Sequence, residues 1–174
     1  MPGEAASKGS KTNAMRVLDA QHVPYTAHYY DAERHSAEEV AALLGVPPAT
    51  VFKTLVVLPE SGRGRPLLVM VPAPAELDLK RLGLHPEAGE KRLRMATQRE
   101  AERLTGLLVG GISALALLQK GFRIFVDSSV DEQARVFVSG GRRGVNLELA
   151  PADLVRVSGA LRVEAARASG KDEP

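Results

Sequence analysis

Three stretches of the chain place polar groups where chemistry could follow. Lys53 stands in VFKTLVVL (51–58), where alternation puts it on one strand face with Val51, Leu55 and Val57. Burying an unpaired ammonium is costly, so such a lysine snorkels to water, finds a partner, or waits for an anionic or carbonyl ligand. In LVGGIS (108–113), Gly110 and Gly111 let a backbone approach a ligand closely, and their amides could hold an oxyanion or phosphate. A tight turn between two elements explains the same letters. In VSGGRRGVN (138–146), the Ser139 hydroxyl, exposed amides and the guanidiniums of Arg142 and Arg143 suit a phosphate or nucleic-acid backbone. A glycine-rich hairpin with solvated arginines is the competing reading.

Other chemistries are excluded by what is missing. The chain has no Cys, so it has no disulfide, no thiolate metal site and no cysteine nucleophile. His22, His28, His35 and His85 lack ligand spacing such as HExxH, so neither a metal nor a cofactor is expected. No GxSxG elbow supports a serine triad. A hydrolase built on this sequence would work without a metal or a covalent nucleophile. Only 4% of residues are aromatic and none is Trp, which argues against base stacking as the main contact with nucleic acid. The formal charge of +2 demands no polyanion partner, although Arg142-Arg143 and a pI near 9 are compatible with one. No apolar run approaches the length of a membrane span, and MPGEAASKGSK has no signal-peptide core. The expected location is the cytoplasm.

The elements that must position these residues can be read from periodicity and caps. Residues 12–22 form a short helix with Met15 and Leu18 on one face, and residues 25–30 alternate as a strand. Ser36-Ala-Glu-Glu39 is a capping box that opens a helix through Leu44, closed by Gly45 and Pro47-Pro48. Strands follow at 51–58 and 67–71, joined by the hairpin loop SGRGRP. Asp78 caps a helical turn over 79–83, and Thr97-Gln-Arg-Glu100 starts a helix to about Leu104. Residues 123–127, 134–139 and 145–149 are three further strands, and Pro151 opens a last short helix. Strands outnumber helices and do not alternate regularly with them. The predicted class is therefore α+β: one domain over 11–167, a mixed curved sheet with surrounding helices, and disordered tails at 1–10 and 168–174.

VFKTLVVL, GLLVGGIS and VFVSGGRRGVNLEL, in that order and spacing, closely resemble the YbaK/EbsC family of freestanding deacylases. These are related to the editing insertion of bacterial prolyl-tRNA synthetases, and the likeness runs from about residue 12 to 157. It implies a barrel-like α+β fold and hydrolysis of the aminoacyl ester at the acceptor end of tRNA, with cysteine on tRNA(Pro) as the expected cargo. Discrimination by small apolar volume is energetically poor, so a second hydrolytic site is the usual remedy. Lys53 matches the family's key lysine, with Thr54 after it. Gly110 and Gly111 match the glycine pair, Ser139 the serine of SGG, and Tyr30 a pocket tyrosine. The resemblance implies a catalytic set of Lys53, Gly110, Gly111 and Ser139. Tyr30, Thr54, Ser113 and Asn146 would bind substrate, and Arg142 and Arg143 the tRNA. In this family the cysteine thiolate is thought to attack its own ester, leaving the protein to position and stabilise.

Two positions depart from the family. Ala114 stands where GGISP has proline, and Asn146 where aspartate is common. Both bear on which amino acid is removed. A sister specificity for alanine or another small residue, a non-catalytic tRNA- or nucleotide-binding module, and an adaptor for prolyl-tRNA synthetase are the rival readings.

Overall fold

Residues 9–169 are described in a computed structural model of the chain. The elements run α1 (Asn13–Ala20), β1 (Thr26–Tyr29), α2 (Ala37–Leu44), β2 (Val51–Pro59), β3 (Leu67–Pro72), β4 (Ala75–Leu77) and α3 (Leu79–Gly83). They continue β5 (Leu93–Met95), α4 (Gln98–Thr105), β6 (Arg123–Asp127), β7 (Val136–Ser139), β8 (Val145–Leu149), α5 (Pro151–Ser158), β9 (Leu161–Val163) and β10 (Ala166–Ala168). The tails expected at 1–10 and 168–174 fall largely outside the described residues. Within them, Ser10 accepts a hydrogen bond from Arg142 and Ala168 pairs with Ala75 in a small second sheet.

The main sheet has the order β1-β8-β7-β2-β3-β6-β9, with β5 also on β2. It is mixed: β2 and β3 are antiparallel, whereas β2–β7, β3–β6 and β6–β9 are parallel. Among the described residues β1 and β9 do not pair with each other. Among the described residues the sheet is open, and its strand order does not confirm the expected barrel-like shape.

Every residue of β3 is buried, which explains its unbroken apolar run: a central strand covered on both faces has no polar side to show. One face packs Phe52, Val56, Leu68, Met70 and Leu147 against α1, α4 and α5 through Leu18, Ala101 and Leu154. Below the other face, Val57, Val69 and Phe125 meet Leu82 of α3. A third cluster seats α2, through Ala41, on Val51, Ala73 and Phe137. Burying each such Leu or Phe contributes about 1.5–3 kcal/mol before conformational entropy is counted.

The capping boxes at Ser36–Glu39 and Thr97–Glu100 both form, and Gly45 and Gly106 close their helices at positive φ. α1 stops at Ala20 because His22 takes a left-handed φ of 56°. Strands β4, β5, β9 and β10 were not expected. At three residues each they are too short for alternation to register.

Candidate active site

The sheet and two helices enclose a cavity of about 560 Å³, within the usual range for a small-ligand site. Its floor is the β2 stretch Val51–Val56; its walls are the segment Tyr30–Val40, the junction Met95–Ala101 and the loop at Val109–Ile112. Tyr30, Lys53, Thr54, Gly110, Ser139 and Asn146 all line it. Gly111, Ser113, Arg142 and Arg143 do not.

Lys53 is half-buried on the face it shares with Val51. Its Nζ donates to the Ala73 carbonyl at 3.0 Å. Burial lowers its pKa, against the opposing fields of Glu38 and Glu76. A carbonyl satisfies one of three N–H donors and neutralises no charge. The ammonium therefore keeps the capacity to take an anion or a polarised carbonyl.

Val109 is held at both ends, and this fixes the loop opposite Lys53. Glu102 of α4 accepts from the Val109 amide at 2.8 Å, and Arg143 Nε donates to its carbonyl at 2.8 Å. Gly110 follows at φ 96°, with the Arg143 and Arg34 stems packed against it. Its N–H takes no backbone partner among the described residues. The Gly111 N–H instead closes a turn on Leu108 O at 2.8 Å, so of the glycine pair Gly110 is the one whose amide has no backbone partner among the described residues. Gly111 is needed for closeness: a Cβ there would lie 2.8 Å from the Arg142 main chain.

The remaining expected residues have local bonding of their own. Ser139 Oγ accepts from the Gly141 amide at 3.2 Å, shaping the SGG turn. Ser113 is buried and its hydroxyl accepts from Ala116 N at 3.4 Å, which makes it a turn cap and removes it from the cavity wall. Arg142 Nη1 donates to Ser10 O at 3.0 Å. Burial pushes the Tyr30 phenol up to about 12, opposed by the neighbouring Asn146 amide. Asn146 is 4% exposed and its Oδ1 has no partner among the described residues.

Sequence reasoning missed Arg34, His35, Gln98 and Glu102. Arg34 Nη1 donates to Gln98 Oε1 at 3.0 Å, tying the segment after β1 to α4 across the cavity. His35 bonds Asp31 at 2.7 Å and Glu39 at 3.2 Å, and these two bonds raise its pKa. Asp31, Glu33 and His35 bring ligand-type atoms within 4.8 Å of one another. With both ring nitrogens bonded to carboxylates, however, the imidazole favours its protonated form, which has no lone pair for a metal. Arg94 and Glu100 join β5 to α4 at 2.7–2.8 Å, holding the Glu100 carboxyl down at about 2. Arg34, His35 and Gln98 are ordinary polar residues in the sequence until the fold sets them around one space.

The described residues contain no helix long and apolar enough to cross a membrane. The chain is 36% identical over 143 residues to EbsC of Enterococcus faecalis, assigned by name as a Cys-tRNA(Pro)/Cys-tRNA(Cys) deacylase, covering 81% of this chain and 84% of that protein. A proline–tRNA ligase of Geobacter metallireducens is 31% identical over 109 residues, 63% of this chain but 18% of the ligase. The fold superposes on the crystal structure of the hypothetical protein APE2540 with a TM-score of 0.80 and 27% identity, covering 89% and 99% of the two chains. A structure described as a trans-editing enzyme for prolyl tRNA synthetase gives 0.69 and 25%, covering 91% and 99%. The profile of the aminoacyl-tRNA editing domain matches residues 31–157, and the chain belongs to that family.

Proposed function

We propose that the chain is a trans-acting deacylase that hydrolyses the aminoacyl ester of mischarged tRNA, with cysteinyl-tRNA(Pro) as its substrate. One observation carries the reading: a half-buried ammonium with no carboxylate partner among the described residues lines the same cavity as Gly110, whose amide has no backbone partner there. An ammonium with donors to spare beside an amide with no backbone acceptor suits negative charge that appears only during reaction.

The chemistry fits a cysteine cargo. The thiol gives up its proton, and the sulfur attacks the ester carbonyl, forming a C–S bond. The C–O bond to the ribose then breaks, the ribose oxygen takes up a proton, and water opens the resulting thiolactone. Lys53 holds the terminal adenosine or the carbonyl, and Gly110 N–H meets the developing oxyanion. Ser139 and Tyr30 orient the aminoacyl end. Neither a metal nor an enzyme nucleophile enters these steps. The acceptor end of tRNA is the partner, with prolyl-tRNA synthetase as a candidate second one, to be sought by pull-down.

Deacylation of cysteinyl-, alanyl-, prolyl- and seryl-tRNA tests the reading. The cysteinyl ester should be cleaved and the seryl ester spared. Lys53→Ala should cut kcat/KM by about 10²-fold or more. Unchanged turnover in that variant would remove Lys53 from the reaction. Faster cleavage of alanyl-tRNA would transfer the function to the sister specificity.

A further inference from the structure

The second edge of β2 is incomplete where it borders the cavity. β3 pairs with β2 along Phe52–Val57. On the other side β7 reaches only Val51 and Phe52, and β5 only Val57 to Pro59. The Ala96 amide donates to Val56 O at 3.0 Å and closes the break from one end. Among the described residues, no strand therefore lies beside residues 53–55 on that side.

Alternation decides which main-chain groups face the break. Ala73 N donates to Val51 O at 2.7 Å, so the odd-numbered residues of β2 bond to β3 and the even-numbered ones turn the other way. The bond from Ala96 to Val56 obeys the same parity. The N–H and C=O of Thr54 thus both point into the break. Thr54 lines the cavity, and neither of these groups has a backbone partner on that side among the described residues.

The cavity also lacks a usual receptor for an amine. Glu39 is the only carboxylate residue among its lining residues, and it already accepts from His35 and from Ser36 N. Gln98 Oε1 is taken by Arg34, and Asn146 Oδ1 is covered by protein atoms. Every aminoacyl ester nevertheless brings an α-ammonium. The Thr54 carbonyl is a main-chain acceptor turned toward it, with no backbone partner among the described residues.

We propose that Thr54 reads the aminoacyl group through its main chain, as one residue of the missing strand. The α-ammonium donates to Thr54 O, and the ester carbonyl accepts from Thr54 N–H. An aminoacyl ester carries a donor and an acceptor at the spacing of a strand residue, which is how extended peptides add to a sheet edge. In this register Thr54 N–H joins Gly110 N–H at the oxygen where charge builds, and the recognition depends on the α-amino group whatever the side chain.

The inference rests on the deacylase reading, and the test separates the two. Cysteinyl-tRNA is compared with 3-mercaptopropionyl-tRNA, which keeps thiol and ester and lacks only the α-amino group. The expected result is a fall in kcat/KM of at least about tenfold for the deamino substrate. Equal rates overturn the main-chain proposal and leave deacylation standing; no cleavage of any aminoacyl-tRNA overturns both. Crystals grown with 3′-cysteinylamino-3′-deoxyadenosine identify the acceptor. The α-nitrogen is expected within about 3.2 Å of Thr54 O. Finding it on Asn146 or Gln98 instead overturns the assignment to Thr54.

Discussion

Arg142 and Arg143 are neighbours in sequence with different bonds, and this makes them separable. Arg143 holds the Val109 carbonyl and packs on Gly110, so it acts through the loop that carries the free amide. Among the described residues Arg142 bonds to Ser10 O through Nη1. Arg143→Ala is expected to lower kcat about tenfold by misplacing Gly110, with a smaller change in KM. Arg142→Ala is expected to raise KM a few-fold with kcat kept. Steady-state kinetics on aminoacyl-tRNA distinguishes them, and identical profiles would remove the positioning role of Arg143. Sequence reasoning grouped the two because it sees adjacency and charge but not which acceptor each fork reaches. Lys53 was legible for the opposite reason: a lone cation amid valines and leucines is a conflict that survives without coordinates.

At the scale of elements, two joints around the cavity have measurable consequences. Gly111 packs against the Arg142 main chain, and backbone yields less readily than a side chain. Gly111→Ala should cost about 1–3 kcal/mol of stability, read from denaturant midpoints. The segment from Asp31 to Glu39 is clasped by His35. Its raised pKa means that this stabilisation is full below the unfolded value near 6.5 and is lost as pH rises through the folded value. The lowered pKa values of Asp31 and Glu39 act with opposite sign: their share is present above the unfolded values near 3.8 and 4.5 and is lost on acidification through the folded ones. The clasp is therefore strongest between those limits. Amide exchange over 31–36, corrected for intrinsic rates, should be slower near about pH 5.5 than near about pH 8. Flat protection across that span would show that the clasp contributes nothing. Both capping boxes and β2, β3 and β6–β8 were visible as local patterns. The three-residue strands were not, because their existence depends on a partner contributed by a distant part of the chain.

For the whole molecule, charge and topology set the expectations. The near-balanced composition and the two arginines beside the SGG turn imply a small electrostatic footprint. If both meet phosphates of a single-stranded acceptor end, the slope of log affinity against log salt should be about −1.4. A slope several times steeper would mean that the tRNA body is also gripped. The open sheet order could not be read from the strands alone, since parallel pairs such as β3–β6 join residues more than fifty positions apart. The class and most of the elements were legible; the closure of the sheet and the shape of the cavity were not. The break beside Thr54 gives this architecture an unusual vulnerability. Most enzymes lose activity when a group is removed, but here an addition would suffice. Lengthening β5 toward Thr54, or β7 past Ser139, would complete the ladder and fill the pocket with the protein's own backbone. If Thr54 reads the substrate as proposed, such a variant would gain hydrogen bonds and order while losing deacylation.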